Sequence, residues 1–219
     1  MPLTSIRMFA EMLRSRAVKS PRQQREYLEI IEGESERLSR LIGNILDFAK
    51  IERGVKEYSF ASVRIETVVK RSAQAMRYQF LNHGGKLRIR MQRGIPSIEA
   101  DGDALEEALL NLLSNALKYS TTRKSVELHV SQLKRKILLV ISDKGIGIPQ
   151  HDLPHIFERF YRVPDERARQ VGGAGLGLAI VKHIVDAHHG SISVKSKVGQ
   201  GTVFTLALPI SQEHPRKQA

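Results

Sequence analysis

Two carboxamides stand four residues apart in LLNLLSNALKYS, at Asn111 and Asn115, with Lys118 and Tyr119 a turn further on. On a helix that spacing puts both amides on one face. Amides on a leucine-rich helix are costly to bury unless something satisfies them. An amide oxygen suits a hard cation such as Mg2+, which keeps several waters and is commonly shared with substrate phosphates. A lysine beside it would meet a phosphate as a point charge. Asparagines that cap a neighbouring loop fit this segment equally well. A second group, ISDKGIGIP, closes an apolar run with Asp143 and follows it with Gly145 and Gly147. A fixed carboxylate there can accept the exocyclic amine of adenine, with the glycines leaving room for a flat ring. An ordinary Asp-Gly turn has the same composition. The third group, VGGAGLGLAIVKHI, crowds Gly172, Gly173, Gly175 and Gly177 ahead of an apolar-periodic segment. Interior glycine costs a helix about 1 kcal/mol against alanine. A helix that opens this way calls for an anion at its amides and positive dipole end, or for a loop that needs positive φ.

Such groups need a core to hold them, and 219 residues with 41% hydrophobic content suffice for one ordinary domain and a smaller element. The 35 basic residues exceed 23 acidic ones by twelve, mostly after residue 56. Phosphate-rich ligands, anionic membranes and nucleic acid are all compatible with that surplus. Nucleic-acid binding is not expected, because no recognition motif and no basic run interleaved with aromatics accompanies the charge. The absence of cysteine excludes disulfides and thiolate metal sites. No apolar run approaches the roughly 20 residues of a membrane span. His151 and His155 are spaced i, i+4, but HDLPH lacks a metalloprotease glutamate and contains Pro154, which argues against a metal pair.

The positioning elements follow from periodicity. Leu3, Ile6, Ala10 and Leu13, then Tyr27, Ile31, Leu38, Leu41, Ile45 and Phe48, form heptad-like seams of two helices, the second opened by Ser20 and Pro21. A lone hairpin of that length leaves an apolar stripe, so either a second copy completes a four-helix bundle or the chain's own second domain covers it. ERGVKEYSF reads as a linker. Beyond it the spacing predicts a helix over 65–81, a strand at KLRIRMQ, a short strand at SIEA, a long apolar helix through DALEEALLNLLSNALKY, a hairpin of SVELHVSQ with KILLVISD, a helix from GLGLAIVKHIVDAHH, and a closing hairpin of SISVKSK with GTVFTLALP. Helices interspersed with antiparallel hairpins imply a mixed sheet with helices on one face.

NLLSNALKYS, DKGIGIP, IFERFYR, GGAGLGLAIVKHIV and GQGTVF occur in that order and resemble the N box, the F box and the three G boxes of the sensor histidine kinases of two-component signalling, within the superfamily of gyrase, Hsp90 and MutL ATPases. PLTSIRMFAEML resembles the residues that follow the phospho-accepting histidine in that family's dimerisation helix, HELRTPLTSI. The resemblance implies an α+β fold: a two-layer α/β sandwich with a mixed sheet (the Bergerat-type ATP-binding fold) behind a helical hairpin that dimerises. It implies a dimerisation hairpin over 1–54, a catalytic domain over 55–212 and a disordered tail over 213–219. The implied activity is transfer of the γ-phosphoryl group of Mg-ATP to a histidine, for relay to the receiver domain of a response regulator.

Carried over position by position, the resemblance gives Asn115 to Mg2+, with Asn111 beside it. Lys118 and Tyr119 go to phosphate and nucleotide, and Asp143 to the adenine amine, with Gly145 and Gly147 lining the base. Phe160 belongs to the F box with Phe157, and either Arg159 or Arg162 reaches the γ-phosphate or is a solvated charge. Gly173, Gly175, Leu176 and Gly177 wrap the phosphates, and Thr202 of GQGTVF also belongs to the nucleotide site. The stretch from Pro149 to Val171 would be a lid ordering around nucleotide. Hydrolytic members of the superfamily carry Glu one turn before the Mg2+-binding asparagine. Asn111 stands there instead, and an amide is a poor base, so ATP would be kept for a protein imidazole. Glu107, a turn earlier, is a base, a metal partner or an ordinary helix charge. The family's histidine would lie ahead of residue 1. This stretch alone is therefore expected to bind ATP without labelling itself at the usual position, and to be cytoplasmic, with any sensor or inner-membrane anchor upstream.

Overall fold

The computed structural model describes residues 2–15, 18, 20–53, 55–120, 124–164 and 174–210. The chain divides into two compact units, Met1–Val55 and Lys56–Ala219. In the first unit, α1 (Pro2–Arg14) packs on α2 (Pro21–Glu52). The Phe9 and Tyr27 rings meet at 4.8 Å between centroids. Proline at the first position of α2 loses nothing, since its missing N–H would have had no intrahelical partner. At 32 residues α2 is a rod of about 48 Å. Leu3, Met8, Met12, Leu28, Ile42, Ile45 and Leu46 remain exposed along the pair.

The second unit runs β1 (Ala61–Val63), α3 (Ile65–Asn82), β2 (Lys86–Met91), β3 (Ile98–Ala100), α4 (Gly102–Tyr119), β4 (Ser125–Leu133), β5 (Lys136–Asp143), α5 (Gly177–Ala187), β6 (Ser191–Lys197) and β7 (Gly201–Pro209). Five strands form one sheet in the order β2-β4-β5-β7-β6. β2 is parallel to β4 and the other pairs are antiparallel, which makes the sheet mixed. β1 and β3 form a separate antiparallel pair, with Ser62 opposite Glu99. On β4, β5 and β7 alternate residues are buried: Val126, Leu128 and Val130; Ile137, Leu139 and Ile141; Phe204, Leu206 and Leu208. That period of two sets one face against the helices, where Leu105, Leu109, Leu112, Leu113 and Leu117 of α4 are buried. The opposite face is more open. Lys86, Arg88 and Arg90 stand exposed on the edge strand β2, and Lys195 and Lys197 on the edge strand β6.

Asp101 ties these layers together. As the N-cap of α4, its Oδ1 accepts from the amides of Asp103 and Ala104 at 3.0 and 2.9 Å, and Oδ2 accepts from the Ser59 amide at 2.9 Å. Its own N–H donates to His188 Nε2 at 2.9 Å. The imidazole must therefore carry its proton on Nδ1, which lies 2.7 Å from the Ile184 carbonyl. His188, at the C-cap of α5, is 1% exposed and packs near the rings of Tyr58 and Phe60. Burial pushes the His188 pKa below the ordinary imidazole value, against the opposing pull of Ile184 and Asp101. The unfolded chain then takes up a proton near pH ~6.5 that the folded chain refuses. Stability is thus complete above that pH and is lost as the pH falls toward the lowered folded value. The urea midpoint is expected to drop between pH 7.5 and 5.5, and His188→Gln should remove this residue's share of the slope. An unchanged slope in the variant would refute that assignment.

Candidate functional site

Asp143 closes β5 with its carboxylate half-buried. Oδ1 accepts from the Gly145 amide at 2.7 Å and from the Thr202 amide at 3.2 Å. Oδ2 has no hydrogen-bond partner among the described residues. Burial raises the Asp143 pKa and the two amides oppose that rise. The strand end is clasped on both sides. The Ile146 N–H donates to Tyr119 O at 3.0 Å, while the Gly199 N–H donates to Ile146 O at 2.7 Å and the Ile148 N–H to Ser196 Oγ at 2.8 Å. DKGIGIP thus lies between the end of α4 and the β6–β7 turn. Gly147 has φ +72, and a Cβ there would fall 2.1 Å from the Lys197 carbonyl oxygen. No side chain can occupy that position without displacing backbone. Thr202 is 5% exposed, with Oγ1 2.9 Å from Ser196 Oγ, so its N–H serves the acid and its hydroxyl serves the turn.

Asn111 and Asn115 lie on one face of α4, both half-buried. Asn111 Nδ2 donates to the Glu107 carbonyl at 3.1 Å, which leaves Oδ1 as the outward acceptor. That oxygen lies against the start of α5: a Cβ built on Gly177 would meet it at 2.9 Å. The Asn115 carboxamide makes no hydrogen bond to any described residue and keeps its full donor and acceptor capacity. Lys118 is exposed in the last turn, beside the half-buried Tyr119. Burial raises the Tyr119 pKa, and the positive charge of Arg162 acts against that rise. Glu107 lies one helical turn before Asn111 on α4. Its Oε2 is 3.2 Å from Lys56 Nζ, an ion pair with both side chains largely covered, and that pairing accords with a structural charge better than with a base.

The N-terminus of α5 carries no side-chain cap and no acidic residue in its first turn. Its leading amides and positive dipole end are left for a ligand or solvent. Leu176 is 1% exposed, so its side chain belongs to the core and only its backbone can serve a ligand. Gly175, at φ +72, packs against Phe160, whose N–H donates to Gly175 O at 3.0 Å. Phe160 itself has φ 61 and a largely exposed ring, while Phe157 sits edge-on to Phe204 at 6.5 Å. Residues 165–173, which include Gly173 and the C-terminal end of the expected lid, lie outside the described residues. Sequence reasoning missed Ser196, whose hydroxyl accepts from the Ile148 amide beside Asp143, and Lys56, which pairs with Glu107.

Asp143, Thr202, Gly145 and Gly147 therefore gather at one end of the sheet beside Tyr119. Asn111 meets Gly177 at the opening of α5, and the charge of Arg162 acts on Tyr119. An uncapped helix start facing carboxamides suits an anion bridged by a hard cation. A half-buried acid with one free oxygen suits a neutral donor. Among the described residues no three His, Asp or Glu side chains gather as a metal-ligand set. A cation here would rest on amide oxygen and on the ligand's own phosphates. Among the described residues no helix is long and apolar enough to cross a membrane.

Residues 1–54 match the His Kinase A (phospho-acceptor) domain, and residues 100–212 match the histidine kinase-, DNA gyrase B-, and HSP90-like ATPase domain. The chain is 36% identical over 218 residues to sensor histidine kinase WalK of Bacillus subtilis (strain 168), covering 97% of this chain and 35% of that one. It is 33% identical over 205 residues to sensor histidine kinase YkoH of the same organism, covering 94% and 44%. It thus spans about a third to a half of the length of the curated relatives it matches. Among solved structures, full-length ShkA in complex with AMPPNP aligns with TM-score 0.70 and 29% identity over 87% of this chain and 39% of that one. Histidine kinase ThkA in complex with the response regulator protein TrrA aligns with TM-score 0.70 and 21% identity over 99% and 59%, a likeness of fold.

Proposed function

This chain belongs to the sensor histidine kinases of two-component signalling, and on that premise we propose that its second unit binds Mg-ATP and passes the γ-phosphoryl group to an imidazole of the dimerisation helix. From there the phosphoryl group goes to a response-regulator aspartate. The observation that carries the proposal is Asn111 Oδ1 set against Gly177 at the uncapped start of α5, which joins a cation-seeking oxygen to an anion-seeking helix end.

Asp143 takes the exocyclic amine of adenine on Oδ2 while Gly145 and Thr202 hold Oδ1. Gly147 keeps the base pocket free of side chains. Gly175 and Gly177 present backbone to the phosphates. Lys118 and Arg162 supply positive charge, and Tyr119 packs beside them. Asn115, with Asn111, offers amide oxygen to Mg2+, which when bound neutralises charge on the phosphates. The chain's own part is to orient the γ-phosphorus for in-line attack and to provide no carboxylate base for water at position 111. The exposed apolar stripe of α1 and α2 supports a second copy as partner, forming a four-helix bundle.

The test adds HELRT ahead of Pro2 and supplies γ-labelled ATP with Mg2+. Acid-labile, alkali-stable label on the protein is expected. Saturable ATP binding with no label would leave a nucleotide-binding scaffold. Phosphate release over many turnovers per second would mark a stand-alone ATPase instead.

A further inference from the structure

We propose that Asp152, acting through Tyr161, is a positioning residue for the phosphate end of this site. The inference rests on the nucleotide site proposed above and adds what holds its far wall in place. Asp152 is only 2% exposed. Its Oδ1 accepts the Tyr161 hydroxyl proton, while Oδ2 lies 3.5 Å from His151 Nε2 and accepts no hydrogen bond among the described residues. A buried carboxylate so thinly provided for is expensive to keep, and its single strong bond is to Tyr161. That ring is also braced 5.5 Å from the His155 ring, whose Nδ1 is 2.7 Å from Glu158 Oε1.

What Tyr161 fixes is the approach of two chain segments. Its carbonyl oxygen and the Phe160 backbone lie so close to Gly175 that a Cβ there would meet them at 2.7 to 2.9 Å. The Phe160 N–H donates to Gly175 O, and Phe160 is held in the left-handed region that non-glycine residues seldom occupy. Gly175 leads directly into Leu176 and Gly177, which open α5. Tyr161 leads directly into Arg162, whose charge reaches Tyr119. One hydrogen bond from a buried acid thus sets two walls of the phosphate pocket. It touches neither the base nor the phosphates.

The experiment compares Tyr161→Phe, Asp152→Ala and Asp152→Asn in the whole chain, with ATP and adenosine affinities read by displacement of a fluorescent ATP analogue. Tyr161→Phe and Asp152→Ala should each weaken ATP about tenfold and leave adenosine unchanged. Asp152→Asn keeps an acceptor for the tyrosine hydroxyl and should stay within about twofold of the wild type. Unchanged ATP affinity in Tyr161→Phe, an equal loss for adenosine, or an Asn variant as damaged as the Ala variant would each overturn the proposal. Amide hydrogen exchange of the nucleotide-free chain separates this from the function itself. Faster exchange at Phe160 in Tyr161→Phe is expected whether or not ATP binds, and no change there sinks the positioning role alone.

Discussion

Asp143→Asn is expected to cost ATP affinity between about tenfold and a hundredfold while leaving the fold as stable as before or more so. A hydrogen bond to a charged group is worth about 1.5–3 kcal/mol, so exchanging the carboxylate for an amide of nearly the same shape removes roughly that much from adenine recognition. The fold gains from the same change. Burial raises the Asp143 pKa, so the folded chain holds its proton more tightly than the unfolded chain, whose carboxyl titrates near ~3.9. Stability linked to this group is therefore complete below that value and is lost as the pH rises through the folded pKa. The Asn variant escapes that loss and still accepts from Gly145 and Thr202. Urea unfolding at pH 7.5 should place the variant's midpoint at or above the wild type's, with the gap narrowing as the pH approaches ~4. Calorimetry with ATP and GTP supplies the other half. Retained preference for ATP in the variant would move the base pocket away from Asp143.

Asn115→Ala should erase the Mg2+-dependent part of ATP binding, a loss of about tenfold or more, with little effect on stability. The Asn115 carboxamide makes no hydrogen bond among the described residues and is only half-buried, so the fold loses little when it goes. Alanine is also the better helix former by a few tenths of a kcal/mol. ATP titrations with Mg2+ and with chelator should therefore converge in the variant and differ in the wild type. Equal Mg2+ dependence in both would remove the metal role from Asn115. Asn111 offers no such clean deletion, because its Nδ2 also bonds the Glu107 carbonyl and its Oδ1 abuts Gly177.

The elements with strong period were legible from sequence. The helix expected over 65–81 spans Ile65–Asn82, and the hairpin joining SVELHVSQ to KILLVISD pairs Val130 with Leu139 in antiparallel register. The mixed sheet followed from the alternation of helices and hairpins. The β1–β3 pair did not, because three residues give no measurable alternation and its partner strand is over thirty residues away. At the site, residue types and order pointed to Asn111, Asn115 and Asp143. Contacts between distant positions stayed hidden. Nothing in EEALLN reveals that Glu107 faces Lys56 across fifty-one residues, and HDLPHIFERFY does not show which acid is buried. A carboxylate's surroundings are made by tertiary packing, and composition carries no record of them.

The two border strands of the large sheet bear one further consequence. A strand with one row of unpaired peptide groups invites another molecule to extend the sheet, and repeated addition makes fibres. Here Lys86, Arg88 and Arg90 of β2 and Lys195 and Lys197 of β6 would bring like charges together at every such junction. Part of the chain's basic surplus thus acts as a guard against runaway polymerisation, a task separate from holding any phosphate.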